Sequence, residues 1–390
     1  MSTTEHSGAI AMFGKWNFLW SDFTTFVNGI GLSSLKIFAP LIDLHKTLAF
    51  GRASMIYRDR NSLDLLPLLC SRRACKATDP RDMVYAHLGI STEGQQYLLK
   101  PNYKMPVEEV FAETTKMIIR HTGNLDILSA ISHSAQASRD MPSWAFDMRI
   151  PVRDNPIASL HTDDAERHFR GADKKYSAAG ETKAVEGSVL WNELALKGKL
   201  ISRIEKLDEP MIEFSETGLP QMCIQWLKNV EQLERRYPNR DEKYLDAFSR
   251  TLIADQDVCT SWTNHRADRE IRSTFGTVFR DPNFQGRVAE GFRCGVAGES
   301  KKRIHTYLHM LENMCSNRRF FLAANGCIGL APLEAQVGDM ICVLFGAEVP
   351  YILRGKGGRA EYIGDAYFHG YMDSEAVKNV SIDTVFFMIK

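Results

Sequence analysis

The last part of the chain constrains the fold most, because its hydrophobic residues fall in short runs separated by turns. From Arg319 to Lys390 these runs are rich in β-branched and aromatic residues, which favour strands. The glycines of Gly355–Gly358 are typical of a hairpin tip. The pattern predicts an antiparallel meander or a small open barrel. The runs are Phe320–Ala323, Met340–Phe345, Pro350–Leu353, Glu361–Gly364 and Val385–Ile389.

The final run, Val385–Ile389, is continuous and carries no charge. A β-prone segment of this kind promotes aggregation when it is exposed to water. We therefore expect the run to be buried, to pair inside the sheet and to close one of its edges.

The sequence before this region predicts helices. Thr-Asp-Pro-Arg-Asp supplies a capping carboxylate at Asp79 and a proline for the first turn, so we predict a helix from Asp79 to Gly89. Gly89 is expected in the left-handed conformation that often ends a helix. Another helix should begin at Pro106 and end before Gly123, with Lys116 on its solvent face.

The periodicity changes along the chain and indicates an α+β protein with four parts. Hydrophobic periodicity is lost after residue 150, whereas Leu194–Ile201 resembles a strand and is followed by amphipathic helices near 222–236 and 243–255. We predict a mainly helical part (1–150), a loop or linker (151–184), a mixed and mainly helical part (185–318) and a β-rich C-terminal module (319–390).

The composition narrows the functional classes. The 48 Lys and Arg residues balance the 48 Asp and Glu residues, which argues against nucleic acid as a partner. The most apolar stretch, Ile30–Phe50, contains charged residues, so we predict no membrane span. The eight cysteines show no Cys-x-x-Cys pair, which is typical of reduced thiols and favours a cytoplasmic location.

Two clusters of polar residues are candidate sites in the sequence. Arg81 could bind an anion at a helix N-terminus. The alternative is a structural role, in which Asp79 caps the helix and Asp82 interacts favourably with the helix dipole. His369, with Asp373 and Glu375, is the best acid–base candidate, with packing in the β-rich module as the alternative.

Neither a metal nor an organic cofactor is predicted. His305, His309 and Glu312 are spaced to share one helix face, but they lack the inner glutamate of a zinc-protease motif, so a solvated face explains them better. The sequence has no P-loop, no Gly-x-Ser-x-Gly elbow and no complete dinucleotide fingerprint.

The run from Arg72 to Ile90, RRACKATDPRDMVYAHLGI, resembles the closing segment of the fungal heterokaryon-incompatibility (HET) domain, whose usual form contains ATDPRDKVYALLGL. Later segments also follow the family, so the resemblance covers most of the chain. These segments are Pro101–Tyr103, Pro142–Trp144, Ala247–Asp255, Arg318–Phe321, Gly326–Gly329, Val349–Arg354, Gly364–Tyr367, His369–Gly370 and Met372–Asp373.

The resemblance implies a role in fungal non-self recognition and the associated programmed cell death. It implies protein partners, either other incompatibility-related proteins or further copies of the chain. It also makes four motif residues candidates for binding. They are Arg72, Asp79, Arg81 and Asp82.

One departure from the family bears on the mechanism. The Ser-Tyr-x-Trp-Gly strand and the Trp…Gln-Glu helix of the family are absent, so we expect that the chain begins part-way through the HET domain. HET domains are similar to the TIR fold, whose early strands form its nucleotide-binding surface, so a complete site of that type is not expected. The alternatives are an enzyme, either a TIR-like NAD hydrolase or one that uses the His369 region, and a truncated regulator that binds a full-length relative.

Overall fold

The computed structural model describes most of the second half of the chain and parts of the first. The described residues are 10–13, 16–19, 64–73, 75–89, 91, 100–131, 140–150, 156–158, 176–212, 221–233, 236–238, 240–256, 266–267, 270–280 and 299–390. The apolar stretch at 30–50 and much of the predicted linker lie outside these residues. None of the helices within the described ranges combines the length and hydropathy needed to cross a bilayer.

Most helices of the described residues precede the C-terminal strands in the chain. They are α1 (Leu65–Arg72), α2 (Asp82–Leu88), α3 (Val107–Thr122), α4 (Asp126–Ser129), α5 (Gln221–Glu231), α6 (Tyr244–Thr251), α7 (Ile271–Arg280), α8 (Glu299–Cys315) and α9 (Glu375–Lys378). The longer ones are amphipathic. In α3, for example, Val110, Phe111, Ile118 and Ile119 lie in the core, as the helical spacing predicts.

A short hairpin and one large sheet contain the strands. The hairpin pairs β1 (Ile10–Phe13) with β2 (Trp16–Leu19). The sheet contains β3 (Leu194–Leu207), β4 (Arg318–Ala323), β5 (Ile328–Pro332), β6 (Met340–Leu344), β7 (Tyr351–Lys356), β8 (Arg359–Asp365), β9 (Tyr367–Phe368) and β10 (Thr384–Ile389).

This sheet closes on itself. Its eight strands follow the order β10–β8–β7–β6–β3–β4–β5–β9, and β10 also pairs with β3. Strands β3, β6, β7, β8 and β10 therefore form a ring, and β4, β5 and β9 extend from it. The pairings are antiparallel apart from a single parallel bridge between Ile389 and Ala360. The predicted α+β class is confirmed.

The long strand β3 joins the ring to the rest of the sheet. Its residues 194–199 pair with β10, residues 198–203 pair with β6, and the last residues pair with β4. The register shifts between Leu200 and Ser202, where the strand turns from one set of neighbours to the other. Because β3 lies far upstream of its partners, the sheet extends beyond the segment 319–390.

Glycines permit the tightest approaches in the sheet. A Cβ atom added at Gly329 would lie 2.2 Å from the carbonyl oxygen of Tyr367, so only glycine fits between β5 and β9. The hairpin from β7 to β8 turns at Gly357 and Gly358, both with positive φ. This two-residue turn confirms the predicted hairpin tip.

The predicted helix ends are correct at one helix and wrong at the other. Helix α3 follows Pro106 and ends before Gly123, as predicted, and Gly123 has a φ of 66° in the left-handed region. Helix α2 begins at Asp82 rather than Asp79, because the residues before it form a turn. Gly89 was predicted in the left-handed conformation, but it has a φ of −72° and remains right-handed.

Lys116 is a clear correction, because it was expected on the solvent face of α3 and is 1% exposed. Its ammonium group donates to the carbonyl oxygen of Leu190 at 2.6 Å and lies 5.4 Å from the ring centre of Trp144. Burial lowers the pKa of Lys116, and the nearby Glu113 opposes this effect. The positive charge of Lys116 is thus stabilised by a carbonyl oxygen and an aromatic face rather than by water.

Burial also differs from expectation in the linker and the last strand. Ile157 and Tyr176, within the predicted loop at 151–184, are buried. Phe386, expected to be buried, is 69% exposed, and Val385 is 37% exposed. Only one face of β10 enters the core, because side chains alternate along a strand.

Candidate functional site

The motif cluster at Asp79–Asp82 forms a turn that attaches a neighbouring loop. The Asp79 carboxylate accepts hydrogen bonds from the backbone N–H and the guanidinium of Arg81. Arg81 also donates to the carbonyl oxygens of Tyr103 and Met105. The Tyr103 hydroxyl donates to Asp82. The hydrogen bonds from Arg81 lower the pKa of Asp79. The cluster is thus internally satisfied.

The change Asp79→Ala should weaken this attachment without removing any chemistry. The turn would lose the acceptor for the Arg81 backbone and guanidinium groups. Because Asp79 and Arg81 are only half-buried, we expect a decrease in melting temperature of no more than about 3 °C. Thermal denaturation followed by circular dichroism measures it. An unchanged melting temperature together with lost biological activity would instead make Asp79 a functional residue.

The two arginines that open the motif have different environments. Arg72 lies in the last turn of α1 and is half-buried. Arg73 is buried, donates to the carbonyl oxygen of Ala130, and stacks on the ring of Phe146 at 4.1 Å. Burial lowers the pKa of Arg73 to about 10. Arg73 was not identified from the sequence, although the doubled arginine of the motif was a visible signal.

His369 lies in a buried polar cluster where the helices meet the sheet. Its Nδ1 is 2.7 Å from the Tyr367 hydroxyl oxygen, and its Nε2 is 2.7 Å from Oε1 of Glu242. The Tyr237 hydroxyl donates to the His369 carbonyl oxygen. Burial raises the pKa of Glu242, but the hydrogen bond and charge of His369 outweigh it, so the net pKa is lowered.

The geometry suits packing better than acid–base chemistry. A general base must come within hydrogen-bond reach of its substrate. His369 is fully buried, and both ring nitrogens already have protein partners. Its role as an acid–base residue therefore stays a prediction that would require the cluster to open.

Asp373 and Glu375 lie near the surface and contact arginines rather than His369. Glu375 pairs with Arg240 at 3.0 Å, and Asp373 pairs with Arg266. The Asp373 backbone N–H donates to Glu375, which fixes the start of α9. The structure thus brings Asp373 and Glu375 together but assigns Glu242 as the carboxylate partner of His369.

Arg266 and a strained turn complete the cluster. Ala254 and Asp255 follow α6 with φ angles of 50° and 54°, which non-glycine residues seldom adopt. The buried Asp255 carboxylate pairs with Arg250 at 2.7 Å. Arg266 lies 4.5 Å above the ring of Tyr176. These contacts fix the turn in its strained conformation. Arg266, which also pairs with Asp373, connects the motif that ends at Asp255 to the motif around Asp373.

Sequence reasoning missed the partners of these residues. Glu242, Arg240 and Arg266 lie more than a hundred residues from the C-terminal motif, and no local pattern marks them. Only the folded chain brings them together.

The metal candidate on α8 has a simpler arrangement. His309 is exposed, and its Nδ1 is 3.2 Å from the side-chain amide of Asn313, one turn further along the helix. Glu312 is exposed as well. Over the ranges that the structure describes, no group of His, Cys, Asp and Glu side chains is arranged to hold a metal ion.

Comparison with known families agrees with this architecture. Residues 296–389 match the family model described as the Het-6 beta-barrel domain. The matched range contains every strand of the ring except β3.

A curated relative extends the similarity beyond the barrel. The chain is 23% identical to "Heterokaryon incompatibility protein 6, OR allele" of Neurospora crassa over 351 residues, which are 76% of this chain and 49% of the relative. The barrel match and this similarity support a HET-family protein. The resemblance seen in its motifs is thereby confirmed. The chain spans about half the length of the curated relative it matches, and no solved structure matches it.

Proposed function

We propose that this HET-family protein acts in heterokaryon incompatibility, as part of fungal non-self recognition and the cell death that follows it. The observation that carries the proposal is the Het-6 barrel domain, which matches the family model and closes into a ring with β3. The similarity to a heterokaryon incompatibility protein over 76% of the chain supports it.

The protein acts through contacts with other proteins rather than by catalysis. The polar cluster around His369 supports this, because its titratable groups are paired with one another. Such pairing fixes the helices against the barrel and produces a rigid surface. The partners are other incompatibility-related proteins or further copies of the chain, and the protein acts in the cytoplasm.

Inducible expression in Neurospora crassa tests the proposal. The recipients are a strain that carries the OR allele of heterokaryon incompatibility protein 6 and a strain from which that gene is deleted. We expect induction to slow hyphal growth and increase uptake of a vital dye in a background-dependent manner. The control variant is Arg280→Ala, which removes an exposed ion pair with Glu231 and should behave like the unchanged chain. Equal growth in every background at matched protein levels would refute the proposal.

Incubation with NAD tests the enzymatic alternative. The purified chain should release no more nicotinamide than a heat-denatured sample, because His369 is buried and paired. Release above that background, lost in Glu242→Gln, would favour an enzyme.

A further inference from the structure

The last strand of the barrel has one paired edge and one open edge. Residues 384–389 of β10 all pair with β3, whereas β8 meets β10 only through the bridge between Ile389 and Ala360. Strand β10 therefore extends past the hairpin tip at Gly357 and Gly358. Within the part of the chain that the structure describes, no strand pairs with the β8 side of residues 384–388. We call this side the open edge.

The register shows which backbone groups face the open edge. The Lys197 carbonyl oxygen accepts a hydrogen bond from the N–H of Phe345, on the side of β3 away from β10. Phe386 lies opposite Lys197 in the ladder, so these two residues form a non-hydrogen-bonded pair. The N–H and C=O of Phe386 therefore face away from β3. Backbone groups face the same side at every second residue, so Lys390 faces the same side as Phe386. Its N–H donates to the carbonyl oxygen of Ala360 on β8. The open edge therefore offers both a donor and an acceptor at Phe386.

Exposed apolar side chains accompany these free backbone groups. Phe386 is 69% exposed and Val385 is 37% exposed, while the preceding Val380 is 93% exposed. Natural proteins usually protect such edges by charges, prolines or covering segments. An apolar edge of this kind is a ready template for another strand.

The charges around the edge indicate what kind of strand fits. Lys197 lies 4.9 Å from the ring centre of Phe386 and is exposed, as is Lys356 beside the hairpin tip. Asp383 is the exposed acid that directly precedes the strand, and Arg359 is already paired with Glu193. The Lys197 ammonium reaches over the Phe386 ring from β3. The resulting positive charge near the open edge favours acidic residues in the partner and disfavours a second copy, which would bring the lysines together.

We propose that the open edge of β10 binds an extended segment of a partner protein in which apolar and acidic residues alternate, by adding it as a strand to the barrel. The backbone of Phe386 provides the hydrogen bonds, Phe386 and Val385 provide apolar contact, and Lys197 selects acidic side chains. The biological role of this contact rests on the proposed function, but the binding itself is measured with purified components.

Hydrogen exchange and peptide binding test the proposal. In the free protein, the Phe386 amide should exchange faster than those of Val385 and Phe387, which face β3. A fluorescent peptide of alternating glutamate and valine should bind and slow exchange at Phe386. The peptide with lysine in place of glutamate should bind at least about tenfold more weakly, because its charges would repel Lys197 and Lys356 near the open edge.

Variants at one position separate the contributions. Phe386→Pro removes an N–H that faces the open edge and leaves the ladder to β3 intact, so the protein should stay folded and lose peptide binding. Phe386→Ala removes only the ring and should retain part of the binding. The double variant Lys197→Glu with Phe386→Ala should lose the preference for the acidic peptide.

Three outcomes would overturn the proposal. They are full binding to Phe386→Pro with an unchanged melting temperature, equal binding of the acidic and basic peptides, and a dimer in sedimentation that Phe386→Pro abolishes. The last would assign the edge to a second copy. Loss of the fungal growth effect with normal peptide binding would contradict the proposed function and leave the edge intact.

Discussion

Replacing Asp365 by alanine should destabilise the protein more than any other single substitution considered for it. Asp365 and Arg318 form a buried pair with 2.6 Å between Oδ1 and Nη2. The second carboxylate oxygen accepts from the backbone N–H of Ile157 at 2.7 Å. The substitution leaves a buried guanidinium without its counter-charge, which costs about 3–5 kcal/mol.

Urea denaturation of Asp365→Ala gives this change in unfolding free energy. Arg280→Ala is the matched control, because Arg280 and its partner Glu231 are 51% and 45% exposed. Exposed pairs contribute about 1 kcal/mol or less. Equal losses in the two variants would show that Asp365 is not a stabilising element of the barrel.

Deleting the residues after Thr384 should give insoluble protein. The deletion removes β10, which pairs with β3 along its length and connects β3 to β8. Phe387 and Ile389 would leave the core, and β3 would expose an unpaired edge. Burial of two large side chains alone contributes about 3–6 kcal/mol.

Soluble yield and resistance to protease measure the effect. Phe386→Ala is the control on the same strand, because Phe386 lies outside the core and its loss keeps the ladder. A soluble, protease-resistant deletion variant would show that the ring does not need its last strand.

The sequence predicted the helices and strands of this fold better than it predicted which strands pair with each other. Local signals marked the helix between Pro106 and Gly123, and the alternation of apolar runs and glycines marked the strands. The closure of the ring by β3 could not be predicted, because pairing between distant strands leaves no local pattern. The same limit hid Glu242, which the structure pairs with His369.

The errors at single residues have physical causes. Lys116 has the sequence position of a solvent-facing residue, but its stem packs inward and its charge finds a carbonyl group at Leu190. Gly89 follows the end of α2, yet it stays in the right-handed conformation, in which its N–H donates to the carbonyl oxygen of His87. The outcome at Lys116 depended on residues outside its helix, whereas the outcome at Gly89 depended on a residue of the helix itself.

The position of β3 has a consequence for biosynthesis. The ribosome makes Leu194–Leu207 long before it makes β10 and β6, which pair with its first half and its middle. Until Ile389 has emerged from the exit tunnel, a nascent β3 remains without its last partner and exposes a pairing edge. Barrel closure is therefore a late event of synthesis, and chaperones that bind extended segments have their longest opportunity at β3.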